Sequence, residues 1–223
     1  MNQPVPPLSV CSGDPRDPAR VLVAAYAARS RVAEGESGAS VDAALRDLFG
    51  QLGSRGIRHV LVGGLALIQY VPVRNTDDVG VIVAVEDVPR IAGMVIVERN
   101  DWFAAARFGN LAVDLLFTVN PLFKHVAESH VETRILMDLP VSCANPTGLL
   151  LLKLFALPSL YRQGNIPRAD LFETDITMLM RQYPHDPEAL LQTLSSHMSA
   201  TDVNALRKVL DEVVHRITRT RHF

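Results

Sequence analysis

The spacing of apolar residues changes along this chain, and each change predicts a different kind of structure. Residues 1–18 hold five of the chain's 14 prolines and little periodicity, which predicts a flexible arm. Helical spacing follows over residues 20–32 and from Ser40, an N-cap, to Leu52. Brief apolar runs then extend to residue 144, after which helical spacing returns. We predict an α/β domain of the α+β type over residues 19–144 and a C-terminal helical domain over residues 145–223.

The brief apolar runs in the middle of the chain predict the strands of a mixed sheet flanked by helices. Each run is short and bounded by turn-forming or charged residues. Gly109-Asn110 between two of them predicts a hairpin, although Asn-Gly would be the stronger order. The predicted strands span residues 59–62, 78–84, 102–108, 111–117, 133–138 and 141–143, with one or two helical turns over residues 86–92.

The C-terminal third is predicted to be a bundle of helices. Asn145-Pro146 is a favourable helix start, because proline loses no hydrogen bond at the first helical position. The helix that follows is apolar on nearly every side and is interrupted by Lys153, so we expect it to be buried. Further helices are predicted over residues 167–182, 186–198 and 201–219.

Composition and net charge exclude few classes of function. The 223 residues are 48% hydrophobic and 21% charged, as in ordinary globular proteins, and the net charge of -2 gives no sign of a nucleic-acid partner. The tail from Arg216 to His222 is basic. A helix end favoured by its dipole is the first interpretation of that tail, and contact with RNA phosphates is the alternative.

Neither a disulfide framework nor a membrane segment is expected. Cys11 and Cys143 match no zinc-binding spacing, which favours two free thiols in a reducing compartment. The start of the chain lacks the basic and apolar segments of a secretory signal, and the apolar run over residues 149–157 is too short to span a bilayer. We therefore expect a cytoplasmic protein without membrane association.

A glycine pair and two carboxylates are the candidate functional residues. Gly63-Gly64 directly follows a predicted strand, where glycine lets backbone N–H groups approach a phosphate, although a plain tight turn explains it equally well. Asp78 opens the next strand and Asp114 lies inside an apolar one, where an unpaired carboxylate is costly. Taken separately, each residue has a structural explanation that is as good as a functional one: Asp78 as a turn residue or cap, and Asp114 as the salt-bridge partner of Arg74 or Arg107. Taken together, the set suits Mg²⁺ carrying a triphosphate.

These residues carry a resemblance to a known family. Val62-Gly-Gly-Leu-Ala66, Arg74-x-Thr76-x-Asp78 and Val113-Asp114-Leu115 together resemble the nucleotidyltransferase superfamily, in particular its minimal bacterial branch, which includes toxins of toxin–antitoxin pairs. The resemblance covers about residues 56–117 and, more loosely, residues 150–175. It implies a nucleotidyltransferase-like fold and transfer of a nucleoside monophosphate from an NTP to a hydroxyl of an RNA end, a protein or a small molecule, with Mg²⁺ or Mn²⁺.

The resemblance also implies roles for single residues. Gly63 and Gly64 would hold the β- and γ-phosphates. Asp78 would be the first metal ligand. Asp114 would be the third carboxylate of the family pattern, a metal ligand that helps to activate the acceptor hydroxyl.

Four further residues receive nucleotide-binding roles from the same resemblance. Arg74 and Thr76 would shape the surroundings of the phosphates and the metal. Lys153 would reach the triphosphate from the buried helix, unless its stem merely carries the charge out of the core. Arg162 is a second candidate cation.

Position 80 departs from the family pattern, which has a second aspartate there. Because side chains alternate along a strand, positions 78 and 80 share a face and Asp77 points away, so Asp77 is a poor substitute. Gly80 leaves three interpretations: a degenerate member that binds nucleotide or a partner such as an antitoxin-like protein, an enzyme rescued by another acid such as Glu86 or Asp101, or an inactivating substitution introduced at this position.

Overall fold

The computed structural model of the protein describes residues 41–71 and 78–220. The predicted arm over residues 1–18, the predicted helix over residues 20–32, Cys11, Arg74 and Thr76 lie outside these ranges. Of Asp78 the structure describes the backbone position.

A seven-stranded mixed sheet forms the centre of the described part of the chain. Its strand order is β3-β4-β5-β2-β1-β7-β6. β2 and β5 are parallel, as are β1 and β7, and the other neighbouring pairs are antiparallel, which confirms the predicted mixed sheet. The strands are β1 His59–Val62, β2 Asp78–Val83, β3 Met94–Arg99, β4 Phe103–Phe108, β5 Leu111–Phe117, β6 Val131–Leu136 and β7 Leu139–Ala144.

Strand β3 is the one sheet strand that the apolar pattern did not predict. It lies at an edge of the sheet, where Val95 and Val97 are 49% and 42% exposed. Its pairing with β4 is also irregular between Ile96 and Glu98, where a β-bulge adds one residue. The bulge interrupts the alternation of inward and outward residues from which a strand is usually predicted. By contrast, the predicted hairpin at Gly109-Asn110 is confirmed between β4 and β5.

Helices cover the sheet and form the C-terminal bundle, as predicted. Asn120, Asn145 and Asp186 each accept a hydrogen bond from a backbone N–H of the first helical turn, and a proline follows each of them. A 3₁₀ turn over Val85–Arg90 stands where helical turns were predicted. The helices are α1 Val41–Ser54, α2 Gly63–Leu67, α3 Pro121–Ser129, α4 Pro146–Arg162, α5 Ile166–Gln182, α6 Pro187–Ser195 and α7 Ala200–Thr220.

Helix α4 lies at the centre of the helical part and is buried, as its apolar sequence predicted. Leu150, Leu154 and Leu157 are completely inaccessible. The helix contacts strand β7 and helices α2, α3, α5, α6 and α7. One hydrophobic core runs through the sheet and the bundle, so the division into two domains at residue 144 stays a prediction. Over residues 41–71 and 78–220, no helix is both long enough and apolar enough to cross a bilayer.

The strand directions place the candidate residues at one edge of the sheet. β1 ends at Val62 where β2 begins, because the two strands are antiparallel. β5 begins beside the start of β2, because that pair is parallel. We call this edge the Gly63 edge and the opposite one, where β2 ends, the Ala84 edge.

Candidate functional site

Five residues from five strands form a row across the sheet near the Gly63 edge. Residues that are paired across neighbouring strands project to the same face. Asp114 therefore shares a face with Gly80, although the two are 34 positions apart in the sequence. The paired residues, which we call the Gly80 row, are Val62, Gly80, Asp114, Ala105 and Glu98.

Asp78 occupies the next row on that same face. It pairs with Ala112, which in turn pairs with Arg107. Both Asp78 and Ala112 lie two residues before their counterparts in the Gly80 row, so they belong to the same face. Asp78 and Asp114 are thus diagonal neighbours on adjacent parallel strands. The two carboxylate residues predicted as metal ligands are brought together by the sheet register.

The face that carries Asp114 is the partly open face of β5. Asp114 and its neighbours Ala112 and Leu116 are half-buried, whereas the alternate residues Val113 and Leu115 are at most 1% exposed. An aspartate inside this apolar strand is therefore directed away from the fully packed side. Salt bridging to an arginine stays open as an interpretation, because Arg74 lies outside the described residues and Arg107 is exposed on the same face.

The turn after β1 depends on Gly63. Val62 is extended, and Gly63 then has a φ of 74°, a conformation that residues with a side chain rarely adopt. A Cβ placed on Gly63 would lie 3.8 Å from the backbone nitrogen of Gly80. The turn therefore passes close over the start of β2. Helix α2 has only five residues, so what the turn can offer a phosphate is its backbone N–H groups; that role of Gly63 and Gly64 stays a prediction.

Gly80 is tightly packed against β1. A Cβ at this position would lie 2.9 Å from Cγ2 of Val62 and 3.2 Å from the backbone oxygen of Val62. Real Cβ atoms do not approach other atoms as closely as the first of these distances. The space that a second aspartate would need is therefore occupied by Val62, and the family pattern cannot be restored here without local movement.

The two acids considered as replacements for the missing aspartate lie elsewhere. Glu86 is exposed in the 3₁₀ turn beyond the end of β2, beside a groove of about 810 Å³ at the Ala84 edge. Asp101 lies between β3 and β4 at the same far edge, next to Trp102, whose carbonyl accepts from the N–H of Phe117. The interpretation of Glu86 or Asp101 as a rescuing acid is therefore wrong for this fold. The acid in the Gly80 row is Glu98, which the sequence did not indicate because its strand was not predicted.

Lys153 forms a buried ion pair in the helical part. Its Nζ donates to Oδ2 of Asp175 at 2.7 Å, and the two side chains are 7% and 0% exposed. The same ammonium lies 4.4 Å from the centre of the Phe172 ring, a cation–π contact. The stem of Lys153 does not carry its charge out to solvent. Its predicted contact with a triphosphate stays a prediction, and it would require this charge to be shared between Asp175 and the nucleotide.

Arg162 lies further along the same helix. It is nine residues beyond Lys153, which is about 14 Å along a helix axis. Its Nη1 is 2.5 Å from Oδ1 of Asp202 on α7. The pair ties the end of α4 to the start of the last helix, and the nucleotide-binding role of Arg162 stays a prediction.

A second polar cluster connects the segment after α2 with β6 and β7. The guanidinium of Arg134 lies 4.5 Å from the centre of the Tyr70 ring and 2.7 Å from Oε1 of Glu132. Burial raises the pKa of the Tyr70 phenol, and burial raises the pKa of the Cys143 thiol to about 11. Both groups therefore stay neutral at physiological pH, and the cluster has the character of a packing contact.

The donor chemistry at the Gly63 edge fits a hard divalent cation. Mg²⁺ prefers oxygen ligands and is commonly held by one or two carboxylates together with substrate phosphates. Asp114 supplies one half-buried carboxylate and Asp78 takes the adjacent register position. Where side chains are described, no three His, Cys, Asp or Glu residues form a group that could hold a metal. A cation here would therefore depend on Asp78 and on the phosphates of a bound nucleotide.

Comparison with solved structures identifies similar folds. The match to the crystal structure of ANT(2'')-Ia in complex with adenylyl-2''-tobramycin covers 75% of this chain and 97% of the ANT(2'')-Ia chain, with 13% sequence identity and a TM-score of 0.51. The match to the solution structure of the antibiotic-resistance factor ANT(2'')-Ia covers 81% of this chain and 96% of the other, with 14% sequence identity and a TM-score of 0.47. The match to the crystal structure of an antigenic nucleotidyltransferase-like protein from Paracoccidioides brasiliensis covers 75% of this chain and 92% of the other, with 15% sequence identity and a TM-score of 0.46.

No family model and no curated protein matches the chain. The similarity to crystalline ANT(2'')-Ia spans nearly the whole of that protein and concerns the fold. The chain therefore has the nucleotidyltransferase-type fold that its glycine pair and aspartates predicted. The predicted fold class, a mixed sheet with helices followed by a helical bundle, is confirmed.

Proposed function

We propose that this protein is a metal-dependent nucleotidyltransferase, which transfers a nucleoside monophosphate from an NTP to a hydroxyl acceptor. The observation that carries the proposal is the pairing of Asp114 with Gly80, which brings Asp114 beside Asp78 at the sheet edge where the Gly63 turn follows β1. The nucleotidyltransferase-type fold gives this arrangement its context.

The chemistry follows from these positions. A bound divalent ion would neutralise the triphosphate and orient its α-phosphorus. Asp114 would accept the proton of the acceptor hydroxyl as that oxygen attacks the α-phosphorus. The bond from the α-phosphorus to the bridging oxygen breaks, and pyrophosphate leaves. The N–H groups of the Gly63-Gly64 turn would hold the terminal phosphates without any side chain standing in their way.

A small molecule is the acceptor class with most support. The crystal structure of ANT(2'')-Ia contains adenylyl-2''-tobramycin, an adenylylated small molecule. An RNA end and a protein hydroxyl remain the alternatives to be tested beside it. An antitoxin-like partner rests on the sequence resemblance alone, and recovery of a bound protein by pull-down would test it.

Incubation with NTPs labelled at the α-phosphate tests the proposal. Reactions would contain Mg²⁺ or Mn²⁺ and one acceptor class at a time: total RNA, a protein mixture, or hydroxylated small molecules. We expect labelled product from one class, and no product from Asp114→Asn, which keeps the size of the side chain but removes its charge. Absence of product with every class, or equal product from the variant, would contradict the proposal.

A second function is favoured by one observation, the packing of Gly80. Since Val62 fills the space of the second aspartate, the site lacks the carboxylate that the family uses to share its metals. A member that binds nucleotide or a protein partner without turnover would have this property. Calorimetry with an NTP and Mg²⁺ separates the two functions: binding without any labelled product would support the second.

A further inference from the structure

We propose that His125, His130 and His197 form a pH-sensitive latch, which holds the connection between α6 and α7 against helix α3 while its rings are neutral and releases it when they take up protons. His125 lies on α3, His130 directly follows that helix, and His197 lies between the end of α6 and the start of α7. Helix α3 joins strands β5 and β6, whereas α6 and α7 belong to the helical part. The latch therefore connects the sheet with the C-terminal helices, and it does not depend on the proposed function.

The three rings contact one another through His125. The centres of the His125 and His130 rings lie 5.0 Å apart, with the rings nearly perpendicular. The centres of the His125 and His197 rings lie 6.0 Å apart, with the rings stacked. Two positive charges at such distances repel each other, and water and salt screen partly buried charges less than exposed ones. The arrangement therefore favours neutral rings.

The charges that act on the latch are those of its own histidines and of His185. His130 is affected by His125 and His185, and His197 is affected by His125. The first turn of α4, which packs against His130 at Gly148, has no charged residue. The acids that flank these histidines in the sequence are engaged elsewhere: Glu128 pairs with Lys124, Glu132 with Arg134, Glu188 with Arg207 and Asp202 with Arg162, while Asp186 caps α6.

His197 is the ring that can leave. The backbone oxygen of His130 accepts a hydrogen bond from the N–H of Asn145, and a Cβ on Gly148 would lie 3.0 Å from the Cβ of His130, so His130 is held at the start of α4. By contrast, Nδ1 of His197 is buried and has no hydrogen-bond partner within the described part of the chain. A protonated ring carries an N–H on both nitrogens, so protonation in place would leave a buried donor without an acceptor. Movement of the ring into water removes that cost.

The direction of the pH response follows from the closed state. Burial and the charge of His125 lower the pKa of His197, and burial together with His125 and His185 lowers the pKa of His130. A ring that is released into water recovers its ordinary pKa near 6.5. The open state therefore binds protons more readily than the closed state. The latch is closed above about pH 7.5 and opens as the pH falls through about 6.5.

Oxidation of Met198 by hydrogen peroxide tests the latch, because this methionine directly follows His197 and opening of the connection exposes its thioether. Met198 and Met180 on α5 are each 4% exposed, so Met180 is a matched control within the same molecule. Mass spectrometry of peptides gives both oxidation rates at pH 7.5 and at pH 5.5. We expect Met198 to react about fivefold faster or more at pH 5.5, and the Met180 rate to change less than about twofold.

Substitution of the histidines identifies the cause of any such difference. In His125→Gln, which removes the central ring, and in His197→Gln, the Met198 rates at the two pH values should agree within about twofold. His215→Gln changes an exposed histidine of α7 and should keep the full difference. Thermal unfolding at pH 7.5 confirms that each variant is folded. The latch is overturned if the Met198 rate does not change with pH, if Met198 and Met180 accelerate equally as in global unfolding, or if the difference persists in both His125→Gln and His197→Gln.

Discussion

Gly80 and Val62 lie opposite each other on β2 and β1, and a Cβ on Gly80 would come within 2.9 Å of Cγ2 of Val62. Gly80 therefore does two things: it removes the carboxylate of the family pattern, and it lets β1 and β2 pack closely at this point. The branched Val62 side chain cannot turn away freely, because it is 2% exposed. The predicted metal site and the packing of the sheet therefore meet at Gly80.

Gly80→Ala is expected to destabilise the protein by about 1–3 kcal/mol, the usual range for overpacking a buried site. Urea unfolding gives the free energy. The matched control is Gly50→Ala in helix α1, where an added Cβ meets no atom within 4 Å. That control should stabilise the protein by up to about 1 kcal/mol, because alanine is the better helix former.

The cause of the Gly80 effect is tested by removing the atom that an added Cβ would meet. In a double-mutant cycle, Val62→Ala should recover part of the loss caused by Gly80→Ala. Independent, additive effects of the two substitutions would show that Val62 is not the obstacle. Gly80→Asp carries the same Cβ, so it should lose stability as well.

We expect the protein to lose much stability when one partner of the Lys153–Asp175 pair is removed, and to lose little when both are replaced by apolar residues. Asp175→Ala should reduce the unfolding free energy by about 3–5 kcal/mol, because it removes the carboxylate that lies 2.7 Å from the buried Lys153 ammonium. The double variant Lys153→Met with Asp175→Leu should recover most of that loss. Lys124→Met is the control, since its pair with Glu128 is largely exposed and should be worth less than about 1 kcal/mol.

That double variant also tests the predicted role of Lys153 towards the nucleotide. If Lys153 contacts the triphosphate, the folded double variant should bind an NTP at least tenfold more weakly by calorimetry. Unchanged affinity would show that Lys153 does not contact the triphosphate.

A group of histidines is expected to make the unfolding free energy depend on pH near neutrality. The rings of His125 and His130 lie 5.0 Å apart, and those of His125 and His197 lie 6.0 Å apart. Burial and the charge of His125 lower the pKa of His130 and of His197, with His185 contributing at His130. The native state thus favours neutral rings, while the unfolded chain takes up protons near pH 6.5.

The unfolding free energy should therefore be constant above about pH 7.5 and fall as the pH decreases through about 6.5. His130→Asn should reduce the slope between pH 7.5 and 5.5, and the slope is measured by urea unfolding at each pH. His59, whose pKa is also lowered by burial, leaves a residual slope in that variant. If His130→Asn leaves the slope unchanged, the histidine group is not the cause of the pH dependence of the unfolding free energy.

Cys143 is expected to be unreactive in the folded protein. It is completely buried on β7, and burial raises its pKa to about 11, so the thiolate that alkylating reagents attack is scarce. In a Cys11→Ser variant, iodoacetamide should label Cys143 only at the rate of unfolding. Rapid labelling under native conditions would contradict this.

The local sequence pattern predicted the helices and strands of this fold better than it predicted which strands pair and which side chains meet. The apolar pattern predicted that Asp78 opens one strand and that Asp114 lies inside another, because that pattern depends on residues that are neighbours in the sequence. The register that pairs Gly80 with Asp114 is a tertiary property and has no local signal. Strand β3 was missed for a physical reason: it lies at the edge of the sheet and exposes valines, and a bulge breaks its alternation. The partner of Lys153 stands 22 residues away on another helix, which helical spacing alone does not reveal.

The most direct test of nucleotidyl transfer compares two positions of the label in the NTP, with Mn²⁺ and the reactive acceptor. The α-phosphate label should appear on the acceptor and the γ-phosphate label in pyrophosphate, with both signals lost in Asp114→Asn. Transfer of the γ-label to the acceptor, or transfer that does not depend on Asp114, would contradict the account.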